Sequence, residues 1–219
     1  MLGAQANLWA EYIATTESVE SRVLPRMAAL AAVQWTEPAR KNYEDIAKRL
    51  PRLLNIYHHE GYHYARHIFD LKAEYKPQPG EQAVEVSLGT VDDAPIYYTL
   101  DGTEPTEQSP AYTAPILITE NAAFRAAAIR PEGQSRMISE DPRFNKATGR
   151  PVSLSMEPSE KYRFNGADAL VDGLKGNDNY STGRWLGFIG GDMEAVIDLP
   201  SPPDISAVST QALVGLPAW

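Results

Sequence analysis

Two groups of residues have the types and spacing to do chemistry. The first is Trp9 and Glu11, at the end of the apolar run LGAQANLWAEYI. Successive strand side chains point to opposite faces, so two residues two apart on a strand project into one space. An aromatic face offers a platform for sugar C–H groups, and an ionised carboxylate accepts charge-assisted hydrogen bonds from hydroxyls. The second group is the histidines: His58, His59, His63 and His67 all fall between Tyr57 and His67. Within them His59-Glu60-Gly61-Tyr62-His63 matches H-E-x-x-H, the zinc-peptidase pattern in which two helical imidazoles bind zinc and the glutamate activates water. Glu81 or Glu85 would be the nominal third ligand. Gly61 weakens such a helix by about 1 kcal/mol, and the residues that follow turn directly into strand. The expectation is therefore a polar helix face without a metal.

The elements that must position these residues follow from the pattern. Residues 2–13 read as a short buried strand. Glu17 to Gln34 reads as a helix, with Val19, Val23, Met27, Leu30 and Ala31 at spacings of three and four, and Pro25 kinking or breaking its first turns. A second helix starts where Thr36 or Glu37 can cap and Pro38 suits the first position. Its stripe is Tyr43, Ile46, Ala47 and Leu50, interrupted by Pro51 and resumed by Leu53, Leu54 and Tyr57. From Ile68 the period changes to two. Phe69, Leu71, Ala73 and Tyr75 alternate with polar residues, and short runs follow around Val84–Leu88, Ile96–Leu100, Ile116–Ile118 and Phe124–Ala128. Asp101-Gly102, Asn121 and the prolines supply turns, as expected of a small antiparallel sandwich. Tyr97 and Tyr98 face opposite sides of their strand, one in the core and one covering a surface. Asp101, Thr103 and Glu104 read as turn and surface chemistry, and Glu140-Asp141 as a loop before Pro142.

Several segments resemble one enzyme class. Gly3–Glu11 (GAQANLWAE), Val19-Glu20, Leu24–Ala31 (LPRMAALA) and Trp35-Thr36 together resemble the end of the catalytic barrel in β-N-acetylhexosaminidases of glycoside hydrolase family 20. The resemblance implies a (β/α) barrel with its active site at the carboxyl ends of the strands. It also implies that Trp9 lines the pocket around the substrate's acetamido group and that Glu11 binds hydroxyls of the non-reducing sugar. Ala10 departs from the Thr or Ser of many relatives, with its side chain pointing away from the sugar. Ile96–Thr106 (IYYTLDGTEPT), with Ser109–Tyr112, resembles the chitobiase and hexosaminidase carboxyl-terminal β-domain. Asn165–Gly173, Ser181–Trp185 and Met193–Leu199 resemble the opening of a discoidin-like (coagulation factor 5/8 type C) domain, a jelly roll that often binds glycans. In that unit Trp185 reads as core, and Asp172 with Asn177 to Asn179 could hold a structural calcium.

The family hydrolyses by substrate assistance with retention: the acetamide oxygen attacks the anomeric carbon while an Asp orients it and the adjacent Glu acts as acid and base, an exception to the two-carboxylate rule. No segment here matches that Asp-Glu pair, since Glu44-Asp45 lies in a helical pattern. A complete barrel also needs about 250 residues. The expectation is a carboxyl-terminal part of a β-N-acetylhexosaminidase acting on glycans with terminal N-acetylglucosamine or N-acetylgalactosamine, inactive by itself. The alternative is a non-catalytic carbohydrate-binding accessory module. The fold class expected is α+β: barrel-end strand and helices over 1–66, a β-sandwich over 67–150, and a partial jelly-roll-like domain over 151–219.

Composition narrows the partners. The 219 residues, 43% hydrophobic, suffice for ordinary cores. A net charge of −9 argues against a phosphate-backbone partner. No apolar run approaches the ~20 residues of a membrane span. Zero cysteine excludes disulfides. A periplasmic, secreted or cell-surface location follows from the resemblance alone, and apolar helical stripes without a barrel partner imply self-association.

Overall fold

The computed structural model describes residues 4–131, 133–177, 184–201 and 204–213. The chain forms two compact units, residues 1–70 with 90–94, and 71–89 with 95–219. It is a mixture of helices and antiparallel sheets, as the α+β expectation requires.

The first unit is helical. Helix α1 spans Thr16–Val23, and its N-cap Thr15 accepts the N–H of Ser18 at 3.2 Å, satisfying one of the donors that a helix start leaves free. Pro25 does more than kink the expected helix. It lacks an N–H and clashes with the preceding turn, so α1 ends and a separate helix α2 begins, Arg26–Trp35. The predicted stripe is only partly covered: Val23 and Leu30 are half-buried, whereas Met27 is 59% exposed. Pro38–Arg40 forms one 3-10 turn, so the second helix starts later than expected. Helix α3 spans Tyr43–His59, capped by the Asn42 side chain, which accepts the Glu44 N–H at 2.8 Å. Pro51 does not interrupt it. Proline at that position removes only the bond residue 51 would have given to Ala47, and the stripe on either side is strong enough to carry the helix through. Ala47 and Leu54 are buried, with Ile46, Leu50, Leu53 and Tyr57 half-buried beside them.

The second unit is built of short strands. The period-two pattern begins later than Ile68, because His67–Phe69 closes a 3-10 turn; β1 is Lys72–Pro77. It pairs antiparallel with β2 (Val84–Gly89), which pairs in turn with β4 (Ile116–Ile118). A second antiparallel group has β5 (Phe124–Arg130) at its centre, flanked by β3 (Ile96–Thr99), β6 (Gly133–Gln134) and β7 (Ile138–Glu140). Alternate residues Val84, Val86, Ile116 and Ile118 are buried, the result expected when one face of a sheet is dry, while the central β5 is buried at Phe124 and at Ala126, Ala127 and Ala128 on both faces. Tyr112 ties the two groups together: its N–H donates to Ile96 O at 2.8 Å, and its hydroxyl accepts the Leu88 N–H at 3.0 Å.

Beyond Asp141 the chain returns to these sheets. Gly80 N–H donates to Gly149 O at 2.7 Å, and Gln82 Nε2 to Asn145 O at 2.7 Å. Gly149 has φ +70°, and a Cβ there would run into the Glu81 carbonyl, so only glycine fits. Strand β8 (Val152–Leu154) pairs antiparallel with β9 (Ala195–Ile197), inside the expected Met193–Leu199 run.

Candidate functional site

Trp9 and Glu11 lie on irregular chain, not on a strand. Residues 4–10 form no regular element, and Ile13 N–H donates to Ala10 O at 3.0 Å to close a turn at Glu11-Tyr12. None of the described residues pairs with this segment. A strand exists by exchanging N–H and C=O bonds with neighbours, so a sequence that reads as strand stays irregular without them. Gln34 Nε2 donates to Ala4 O at 3.3 Å and holds the segment near α2. Trp9 is 73% exposed and Glu11 is also exposed. A bare indole face and a solvated carboxylate are thus presented within three residues, the groups that sugar recognition uses.

The histidine cluster straddles a helix end. Helix α3 stops at His59 with Glu60 at its C-cap, and Gly61 turns the chain with φ +76°. His59 and His63 therefore do not share a helical face, and the zinc-peptidase geometry is not formed; a β-carbon-free residue in the left-handed region ended the helix between them. The chain instead folds back along α1. Glu20 Oε2 accepts the His63 backbone N–H at 2.8 Å and lies 3.3 Å from His63 Nδ1, while Ala65 N–H donates to Leu24 O at 3.0 Å. Between them is an open pocket of about 480 Å³, with Glu17, Ser18 and Ser21 on one side and His58, Tyr62 and Arg66 among the residues on the other. The backbone N–H at Glu17 itself, then the Thr15 hydroxyl, hold the Glu17 carboxyl below its ordinary range. Among the described residues no three His, Cys, Asp or Glu side chains converge as a metal set.

In the second unit Asp172 is 4% exposed, and its Oδ1 accepts the Leu174 N–H at 2.8 Å. Burial pushes its carboxyl up to about 6. This is a carboxylate turned toward protein groups. Asn177 offers its carbonyl to Trp185 Nε1 at 2.8 Å, and the half-buried Trp185 ring lies against Gly176. Positions 178 and 179 of the anticipated calcium set lie outside the described residues. Asp101 makes an Asx turn, accepting the N–H of Thr103 at 3.0 Å and its hydroxyl at 2.6 Å. Those bonds, the hydroxyl's first, hold the Asp101 carboxyl below its usual range. Tyr97 and Tyr98 are both half-buried, with the Tyr98 ring 6.3 Å from that of Phe124.

One cluster escaped the sequence reading. Glu140 is not in a loop; it ends β7, and its Oε1 accepts Arg184 Nη2 at 2.8 Å. The same guanidinium lies 4.3 Å above the centre of the Tyr75 ring. Arg184 is 44 residues from Glu140 and farther from Tyr75, so no local pattern announces it. The one available signal was Tyr75, an inward-facing position of β1 carrying a hydroxyl.

Two segments match described protein families, in the same order as on the chain. Residues 1–38 match the glycosyl hydrolase family 20 catalytic domain, and residues 77–140 match the chitobiase/beta-hexosaminidase C-terminal domain. In these two segments the chain is similar to hexosaminidase-type glycosyl hydrolases. A beta-hexosaminidase of Porphyromonas gingivalis (strain ATCC BAA-308 / W83) is 32% identical over 142 residues, which is 61% of this chain and 17% of that protein. The chain thus spans about a sixth of the length of this curated relative.

Proposed function

We propose that the chain serves a β-N-acetylhexosaminidase, a retaining glycosidase that removes terminal N-acetylhexosamine from glycans with the substrate's acetamide as nucleophile. In this reading the chain around Trp9 and Glu11 completes the rim of a (β/α) barrel, with Trp9 against the acetamido group and Glu11 accepting sugar hydroxyls. The two antiparallel groups of strands form a sandwich, and residues 151–219 open a discoidin-like jelly roll. The enzyme works in the periplasm or at the cell surface. The observation that carries the proposal is that the family 20 match covers residues 1–38, and with them both exposed site residues.

Neither Glu-Asp pair within the chain is free to act as the Asp-Glu dyad. Glu44-Asp45 sits in the first turn of α3, where Asp45 pairs with Arg49 at 2.8 Å. Glu140-Asp141 is committed to Arg184 and Arg125. The 219-residue chain is therefore expected to release no aryl alcohol from an aryl N-acetylglucosaminide, and robust turnover would sink this assignment of roles. In the enzyme to which the segment contributes, Glu11→Gln should lower kcat/KM roughly tenfold or more, the scale of one lost charge-assisted hydrogen bond.

The exposure of Trp9 and Tyr12, 73% and 92%, favours a second reading in which the chain is an accessory carbohydrate-binding module. Tryptophan fluorescence during titration with N-acetylglucosamine oligosaccharides separates the two. Saturable quenching by the isolated chain supports the module, and a flat response across the series removes it.

A further inference from the structure

We propose that the pocket between α1 and the chain that follows α3 is a saccharide-binding site, with the Tyr62 ring as its stacking face and Glu17 as the acceptor for sugar hydroxyls. It is built entirely within the helical unit, and its volume of about 480 Å³ lies in the range of small-molecule sites. Trp9 and Glu11 are not among its lining residues, so the proposal does not rest on the hexosaminidase reading.

The two walls are fixed before any ligand arrives. Glu20 Oε2 accepts the His63 backbone N–H at 2.8 Å and Ala65 N–H donates to Leu24 O at 3.0 Å, so the returning chain is tied to α1 at two points. Tyr62 N–H donates to Tyr57 O at 3.0 Å, which closes the turn after α3. The half-buried Tyr57 ring then braces two rings of the far wall: that of Tyr62 stands edge-to-face with it at 6.1 Å, and that of Tyr64 lies tilted at 6.0 Å. Tyr62 is nevertheless 49% exposed, a braced ring with a wet surface. A ligand that meets such a wall loses little to ordering the protein.

The polar groups on the walls select the ligand. Glu17 brings a carboxylate, which only accepts hydrogen bonds, and Arg66 a guanidinium, which only donates them. Tyr62 and Ser21 bring hydroxyls; that of Ser21 donates to Ser18 O at 3.1 Å and so meets a ligand as an acceptor. A phosphate would face the Glu17 anion, and the His63 ring already lies 3.3 Å from the Glu20 carboxylate. A metal ion would lack ligands, since among the described residues no three His, Cys, Asp or Glu side chains converge. An aliphatic ligand would take charged walls out of water without hydrogen-bonding them. A sugar ring matches all of it: its hydroxyls both give and accept hydrogen bonds, and its C–H face suits the phenol ring.

Titration of the full chain with glucose, galactose, N-acetylglucosamine and the N-acetylglucosamine disaccharide, followed by NMR, tests the site. Saturable shifts of the Tyr62 ring and His58 imidazole signals are expected with at least one of these sugars, and none with inorganic phosphate or glycine at the same concentration. Glu17→Gln and Tyr62→Ala should each weaken the Kd of the responding sugar about tenfold, the scale of one lost charge-assisted hydrogen bond or stacking face. Silence of the Tyr62 and His58 signals toward every sugar, or their saturation by phosphate, overturns the site. So does an affinity that neither substitution changes, or a response confined to the Trp9 indole. The wild-type titration decides the matter even if a variant fails to fold. Turnover of an aryl N-acetylglucosaminide by the chain would sink the hexosaminidase assignment while leaving these ring signals as they are, so the two failures are told apart.

Discussion

In the helical unit Trp9, Tyr12 and Trp35 stand 73%, 92% and 89% exposed, while in the β-unit Phe124, Val84 and Val86 are sealed completely. Both units are made of elements whose local signals are sound. Thr15 and Asn42 cap their helices through side-chain oxygens as firmly as the β2 register is set by alternation. The difference lies in what covers the apolar faces. The β-strands cover one another between residues 72 and 140. The α1–α2 stripe is only partly covered among the described residues, so local structure there is complete while burial is not.

The sharpest way to break this comparison is a truncation on the dry side. Phe124→Ala removes a wholly buried ring on β5 and should cost about 3–5 kcal/mol, read as a fall in the urea midpoint of the β-unit. A loss under about 1 kcal/mol would mean that the buried faces are loosely packed. A smaller effect is expected at the caps. Asn42→Ala removes the acceptor for the Glu44 N–H and should cost about 1 kcal/mol, seen as lost helical circular dichroism with the β-unit transition unmoved. The smallest should come from Trp35→Ser, within about 0.5 kcal/mol, since an exposed ring contributes little to folding. Its effect belongs to association: we propose that the bare α1–α2 face drives self-association, and sedimentation should show the variant shifted toward monomer. Identical sedimentation of both proteins would remove that proposal.

The β-unit was legible because its signal is local. Period-two alternation at Val84-Val86 and Ile116-Ile118 needs only that each run find another like it. The helix stripe of α3 was legible for the same reason, yet its boundary was not, because Asn42 competes with Thr36 as a cap and the winner depends on where the chain turns. The types of Trp9 and Glu11 pointed to a sugar before any geometry was known, but their strand depended on neighbours that composition does not reveal. The H-E-x-x-H pattern misled because Gly61 acts through backbone freedom, which a motif of side chains ignores. The Arg184 cluster was invisible, being assembled by three distant stretches of chain.

Tyr112 carries a consequence of a different kind. Strand β4 covers β2 only opposite Val84–Val86, so the Leu88 amide on that side has no strand to receive it. The Tyr112 hydroxyl occupies that amide at 3.0 Å, while its own backbone is bound to β3. A stranger's strand arriving to extend the sheet would find its docking rung already taken by a ring anchored from the other sheet. The phenol thus closes a sheet-edge amide at the place where the strand pairing of a short-stranded domain runs out.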